Sequence, residues 1–431
     1  MGTRQGIGVG NSGISRANES GTRQWTGNLF HGQRGPQRRL IQERVRSVWV
    51  LVLVAYLAIL AAPSTLRAAP IDSPKAQVSP DGKTLWFDGK DLLVEGKGWR
   101  DTASVYDRLP RKAQGKVPPR VWNLSHDSAG LCIHFTTDSP TLRVRWSLTK
   151  GRLGLPDMPS TGVSGIDLYF KNASGRWQYL SNEAPFERRW PTSTVGNEAT
   201  FSPPPGQECL LYLPLYNGTA SVEIGIPKDR TISSPEASNS RRKPIVWYGT
   251  SIVQGACASR PGMAATAIVG RKLDTEIINL GFAGSGRMEP EMADLLAELD
   301  PSVYILDCLW NMEPKEVSER VEPFVKRLRE AHPDTSILLA EDSHYQNLCP
   351  TAKGRVLRDC FERLITAGVE NIHFLPSKNM LGDDGEGTVE GCHPNDLGMM
   401  RQAEVFVQAL RPLASPLARP RESQDKLPFG R

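Results

Sequence analysis

Cysteine is scarce in this 431-residue chain: there are seven, at 132, 209, 257, 308, 349, 360 and 392, with no CxxC pair. That spacing excludes a zinc finger or ribbon and a dense disulfide framework. One or two bridges stay open, with the other thiols as small buried hydrophobes. A membrane-spanning run is missing as well, because the apolar stretch 48–62 has 15 residues, short of the about 20 that a bilayer requires. The body of the chain also lacks concentrated charge. The formal net charge is +5, but residues 1–47 hold eight Arg against Glu19 and Glu43, Arg67 adds another, and the remainder sums to −2. Without a clustered positive field, that remainder lacks what phosphate binding needs, so nucleic acid is excluded as a partner.

What is present is a globular composition, 39% apolar and 23% charged, which rules out global disorder. Residues 1–69 read as a leader: a basic approach ending in RVRS, the apolar run 48–62, and a small-residue end, LRAAP, open to cleavage near Ala69. The expected consequence is a secreted or periplasmic protein; an uncleaved leader would be its membrane anchor and its sole membrane contact. Residues 1–47 are rich in Gly, Arg and Gln without periodicity, and read as a disordered tail or a start site placed too early. No lipidation site follows, because the first Cys is Cys132. Beyond Ala69 stand 362 residues, about two domains by length.

Residues 80–227 have period two. Leu131, Ile133 and Phe135 alternate with Cys132 and His134, TDSP turns the chain, and Leu142, Val144, Trp146 and Leu148 follow, which predicts a hairpin with one buried face. Further strands are expected at 165–171, 176–181, 209–216 and 221–227, with no helix among them, and the whole reads as a jelly-roll-like β-sandwich. Residues 228–243 are polar and contain Pro and Ser, and read as a linker. From 244 to 412 the rhythm is strand then helix. Strands are expected at 245–248, 276–280, 303–306, 336–340 and 372–375, and helices at 264–273, 291–299, 315–331, 352–367 and 396–410. Such βα units imply an α/β fold with a parallel sheet between helices, whose ligands bind beyond the carboxyl ends of the strands. Residues 413–431 are a tail.

The chemistry-bearing residues stand at those strand ends. Ser251, in GTSIVQG after the first strand, sits where a sharp strand-to-helix turn exposes a hydroxyl and backbone N–H groups; a helix N-cap is the alternative role. NLGFAGSG after the second strand places three Gly in six residues, a tight turn or a backbone aimed at a ligand. In DCLWNM, Asn311 can donate to an oxyanion or close its own turn. Near the C-terminus, Glu390 precedes His393 by three residues, close enough in a loop to hold one ring nitrogen and leave the other for a serine.

The blocks GTSIVQG, NLGFAGSG, DCLWNM and EGCHPNDLG resemble, in order and spacing, those of the SGNH hydrolases, the GDSL-type esterases and lipases. VWNLSHDSAG and GIDLY, at 121–130 and 165–169, resemble the β-sandwich that precedes the hydrolase domain in the subgroup named for its GxDLY motif. The likeness covers about residues 80–410. It implies a flavodoxin-like three-layer α/β/α hydrolase domain. Ser251 would be the nucleophile and His393 the general base supported by Glu390; the Ser251 N–H, the Gly284 N–H and the Asn311 amide would form the oxyanion hole, with no metal and no other cofactor. This chain departs from the pattern at Glu390, where Asp is usual, at Thr250, also usually Asp, and at Leu309 and Trp310, where a Gly usually precedes the Asn. Trp310 would then line the acyl pocket.

The resulting expectation is a secreted serine esterase acting on a small-molecule or carbohydrate ester. Acyl transfer, lipid esters, and glycan binding by an inactive hydrolase-like domain are the alternatives. Glu341, Asp342 and His344 after the fourth strand are candidates for substrate contact or for the triad, or form a solvated loop; Asp383 and Asp384 read as acidic turn residues. Trp86, Trp99, Trp122, Trp146, Trp177 and Trp190 crowd the first domain, as core or as a sugar-stacking face.

Overall fold

The computed structural model describes residues 76–185, 197–235, 242–345 and 348–414. The leader 1–69, residues 236–241 of the expected linker, Trp190 and the chain beyond 414 lie outside the described residues. All described residues belong to one compact unit. Among them, no helix is long and apolar enough to cross a membrane.

In the first half, strands β1 (Gln77–Val78), β2 (Thr84–Asp88), β3 (Leu93–Glu95), β4 (Cys132–Thr137), β5 (Leu142–Leu148), β6 (Ile166–Lys171), β7 (Trp177–Glu183), β8 (Asn197–Phe201), β9 (Gln207–Tyr212), β10 (Thr219–Pro227) and β11 (Ile232–Ser233) build two antiparallel sheets. Their orders are β1-β2-β10-β5-β8 and β11-β4-β9-β6-β7, with β3 beside β4. The expected hairpin over 131–148 does not form. β4 and β5 lie in different sheets, so TDSP carries the chain across the sandwich. The alternation was sound for each strand alone: Ile133 and Phe135 from one, Val144 and Trp146 from the other, enter the same core. Alternation reports that one face is buried and says nothing of the partner strand.

Among the described residues, two α-helices interrupt this half where none was expected, α1 (Pro119–Ser125) and α2 (Ser160–Val163). α1 starts on Pro119, whose fixed φ suits a first helical position. The expected linker is not wholly unstructured, since Ile232 and Ser233 pair with β4 and Ile232 is buried.

The second half is a five-stranded sheet of β12 (Ile245–Gly249), β13 (Ile277–Gly281), β14 (Val303–Asp307), β15 (Ser336–Ala340) and β16 (Ile372–Leu375), all neighbours parallel, in the order β13-β12-β14-β15-β16. Alternate side chains enter different cores. Val246, Tyr248, Tyr304 and Leu306 meet α5 (Pro290–Leu296), α6 (Pro314–Ala331) and α7 (Ala352–Thr366). Ile245, Trp247, Val303 and Ile305 meet α4 (Ala265–Leu273) and α8 (Asp396–Leu410). Burial on both faces is why these strands read as unbroken apolar runs. Counted within the sheet the order is 2-1-3-4-5, the flavodoxin-like arrangement, and the winding reverses between β12 and β14. A crevice opens there, beyond Gly249 and Asp307.

Candidate active site

At the end of β12 the chain turns through Gly249 and Thr250 into α3 (Ser251–Gln254), a single turn of helix. Thr250 is its N-cap: the buried hydroxyl accepts from the Ile252 N–H at 3.3 Å, so the departure at this position serves the turn. Ser251, one residue on, is free to point elsewhere. Gly255, with φ of 108°, ends the helix in the left-handed region. Close packing places it: a Cβ on Gly281 would lie 2.1 Å from the Gln254 nitrogen, so only glycine lets β13 approach α3 this closely.

Ser251 Oγ lies 2.8 Å from His393 Nε2, although 142 positions separate them. His393 Nδ1 bonds the Glu390 carboxylate, which also accepts the His393 backbone N–H at 3.1 and 3.2 Å. The extra methylene of Glu therefore does not break the acid–His link. Asn395 secures the loop by capping α8, accepting from the Gly398 N–H and donating to the Glu386 carbonyl at 2.7 Å.

Gly284 and Asn311 reach the same place. Both line one cavity of about 330 Å³ together with Ser251 and His393. Gly284 has φ of 62°, a conformation that favours glycine. Neither its N–H nor that of Ser251 has a partner among the described residues. Asn311, on a short 3-10 turn after β14, donates to the carbonyl of Ser285 and, at 3.4 Å, to that of Phe282, which ties it to the Gly284 loop.

The sandwich also reaches this cavity, through Arg120, Asp157 and Tyr216, and holds the loops around it. Arg108, wholly buried, donates to the carbonyls of Gly281 at 2.7 Å and Asn279 at 3.3 Å; burial lowers its pKa to about 10, so it stays charged at neutral pH. Buried Asp127 accepts from Lys150 and from Gln254 Nε2, and Gln254 Oε1 accepts from the Ala283 N–H at 3.0 Å. Tyr216 donates to the Ser251 carbonyl at 3.2 Å, and Arg120 Nε to the Ala283 carbonyl at 3.0 Å. The GIDLY segment is a clamp between the halves: Asp167, fully buried, accepts from Arg260 Nη1 and the Gly262 N–H, both at 2.8 Å, and Tyr169 accepts from Arg260 at 2.6 Å. VWNLSHDSAG and GIDLY, which contain Asp127, Asp167 and Tyr169, were marked only by the resemblance, and Arg108, Arg120 and Tyr216 escaped notice, because buried polar partners distant in sequence leave no local pattern.

Cys257 and Cys392 line the cavity too. Burial, with Asp157 nearby, pushes the Cys257 thiol up to about 12, and burial with Glu390 pushes Cys392 up to about 11. Both are thiols rather than reactive thiolates at neutral pH. The ligand atoms of Asp157, Cys257 and His393, and those of Glu390, Cys392 and His393, lie within 4.8 Å of one another in each set. Each set uses His393, whose two ring nitrogens already contact Ser251 and Glu390.

Glu341, Asp342 and His344 do not join this constellation. Glu341 accepts from the Ser377 N–H at 2.9 Å, Asp342 from the Thr351 hydroxyl at 2.9 Å, and His344 packs on Trp310 with ring centroids 4.3 Å apart. Trp310 itself lines the cavity, its Nε1 donating to the Ser343 carbonyl. Asp384 pairs with Arg401, which lowers its pKa, and Asp383 does not line the cavity. Trp86, Trp99 and Trp146 are buried core and Trp122 packs against it. Trp177 instead borders a larger cavity of about 580 Å³, with His134, Lys171 and Arg271, where no serine stands beside a histidine among the described residues.

Residues 242–411 match the model of the GDSL-like lipase/acylhydrolase family, and residues 84–232 the GxDLY model for the N-terminus of SGNH-hydrolase-type esterases. Among solved structures, the chain is similar to a protein described as a GDSL-like lipase from Bacteroides ovatus, with 35% identity and a TM-score of 0.69 over 77% of this chain and 98% of that one. It is also similar to a salicylyl-acyltransferase from a tetracycline biosynthetic pathway, with 19% identity and a TM-score of 0.58 over 81% and 99%; that likeness is one of fold. No curated protein matches.

Proposed function

We propose that this chain, which belongs to the GDSL-like lipase/acylhydrolase family, is a serine esterase that cleaves carboxylic esters through an acyl-enzyme on Ser251. The observation that carries this reading is the contact of Ser251 Oγ with His393 Nε2, in line with Glu390 on Nδ1. Ser251 Oγ attacks the ester carbonyl as His393 Nε2 takes its proton, and Glu390 holds the tautomer that leaves Nε2 free. Charge that develops on the carbonyl oxygen meets the Ser251 and Gly284 N–H groups; the Asn311 amide, which donates to the Ser285 and Phe282 carbonyls, joins them by releasing its 3.4 Å bond to Phe282. His393 then returns the proton to the departing alcohol. Water, deprotonated by the same His393, attacks the acyl-enzyme and releases the acid.

The cavity of about 330 Å³ suits a short acyl group, and with the leader it supports a narrower form of the reading: an exported enzyme that removes small acyl groups from carbohydrate or similar esters. Hydrolysis of 4-nitrophenyl acetate, butyrate and octanoate by the full chain tests both levels. Ser251→Ala is expected to fold normally and to lower kcat by about 10³-fold or more; turnover that survives the substitution overturns the assignment. Preference for acetate supports the small acyl group, and preference for octanoate removes it. Cleavage near Ala69 on expression, read by N-terminal sequencing, tests export.

A further inference from the structure

We propose that Arg120 binds the substrate, reading a carboxylate carried by the ester at the wall of the cavity beside Gly284; this rests on the esterase reading of the same cavity. Two arginines from one stretch of the sandwich half end on the same loop and are used differently. Arg108 is buried and saturated: Nε donates to the Asp127 carbonyl at 2.8 Å, Nη1 to Gly281 at 2.7 Å and Nη2 to Leu124 at 2.7 Å. Every arm of that fork holds backbone, as a structural arginine requires.

Arg120 spends only Nε, on the Ala283 carbonyl. Its Nη1 and Nη2 have no hydrogen-bond partner, and no carboxylate pairs with it, among the described residues. The side chain is exposed and lines the cavity. Nη2 stands 2.7 Å from where a Cβ on Gly284 would be, so the fork lies against the flank of the residue that offers its N–H to the oxyanion. One Nε anchor fixes the plane of the guanidinium and leaves its paired N–H edge open, the edge that matches a carboxylate in a bidentate pair. Asp157, the carboxylate in the same lining, accepts from the Cys257 thiol and makes no ion pair with Arg120. An ester bearing a carboxylate is thereby oriented with its charge toward Arg120 and its carbonyl toward Gly284 and Ser251.

The test uses pairs that differ mainly in charge. 4-Acetoxybenzoate and 4-acetoxybenzamide differ on the alcohol side, and mono-4-nitrophenyl adipate and 4-nitrophenyl hexanoate on the acyl side. Binding to full-length Ser251→Ala is measured by calorimetry, and turnover by the wild type, each with and without Arg120→Gln. For at least one pair, the preference for the anion, as a ratio of Kd and of kcat/KM values, is expected to fall roughly tenfold or more in Arg120→Gln, the scale of a charge-assisted hydrogen bond. Arg120→Lys is expected to restore part of it. Equal losses for charged and neutral members, the mark of a residue that only holds the loop, overturn the proposal. So do unchanged ratios, or the lack of any anion preference in both pairs. Failure of the esterase reading shows separately, as turnover that Ser251→Ala does not reduce, while charge preference is still read by binding.

Discussion

Ser251, Gly284, Asn311, Glu390 and His393 all stand in connections of the α/β half, Ser251 at the start of α3 and Asn311 on a 3-10 turn, and the contact of Ser251 Oγ with His393 Nε2 involves no sandwich residue. The sandwich sends other groups to the same place, and these act on backbone or on supporting side chains: Arg108 on Gly281, Tyr216 on the Ser251 carbonyl, Asp127 on Gln254. One half holds the atoms proposed to react and the other holds the loops that carry them. The sandwich is thus part of how the Gly281–Gly284 loop keeps its shape, and on the proposed reading the two halves should fail in different ways when damaged.

Glu390→Ala should show the larger effect and confine it to rate. Removing the partner of His393 Nδ1 is expected to lower kcat by about 10²-fold or more, while a partly exposed carboxylate contributes little to the melting temperature; a large drop in stability would break the distinction. Asp167→Ala should give the reverse pattern. It strips a fully buried carboxylate from Arg260 and from the Gly262 N–H, at a cost of about 2–4 kcal/mol in unfolding free energy, with kcat/KM of the remaining folded protein close to wild type. If activity is lost and stability kept, the GIDLY clamp belongs to the catalytic apparatus.

A smaller effect sharpens the same contrast inside the α/β half. Burial pushes the Asp307 carboxyl up to about 7, with nearby Asp342 adding to the rise and the Trp247 N–H opposing it. Between about pH 4 and 7 the folded state keeps a proton that the unfolded chain has released. Stability from this group is therefore complete below pH 4 and is lost as pH rises through 7. Asp307→Asn should match wild type near pH 4 and exceed it at pH 8 by about 1–2 kcal/mol, after allowance for screening at its partly exposed edge. Denaturant melts at the two pH values read this, and equal offsets at both would refute the burial argument.

The α/β half was legible almost element by element. SILLA and IHFL are strands at the expected positions, and the last helix runs over Asp396–Leu410 as the 3.6-residue period implied. Its strands are buried on both faces, so their apolar runs are long and their turns rich in Gly, and both signals are local. The sandwich was legible only as alternation. Leu142–Leu148 was recognisable as a strand, but its partners, β10 and β8, lie far along the chain, and nothing between 131 and 148 encodes that choice. Short strands such as Leu93–Glu95 and Ile232–Ser233 gain their hydrogen bonds from β4 rather than from their own propensity, and so left no pattern. In the site, Glu390 and His393 were linked by a spacing of three, whereas Arg120, Asp157 and Tyr216 enter the cavity from elsewhere and carry no motif.

The sequence by itself determined the two periodicities, the family blocks and the identities of the groups able to react, because each depends on neighbours within a few residues. Only the tertiary structure decided which strands pair, that Ser251 meets His393 across 142 positions, and that a sandwich arginine stands beside Gly284 with no ion pair among the described residues. Those outcomes depend on contacts between segments far apart in the chain, and such contacts are selected by the burial of whole faces at once.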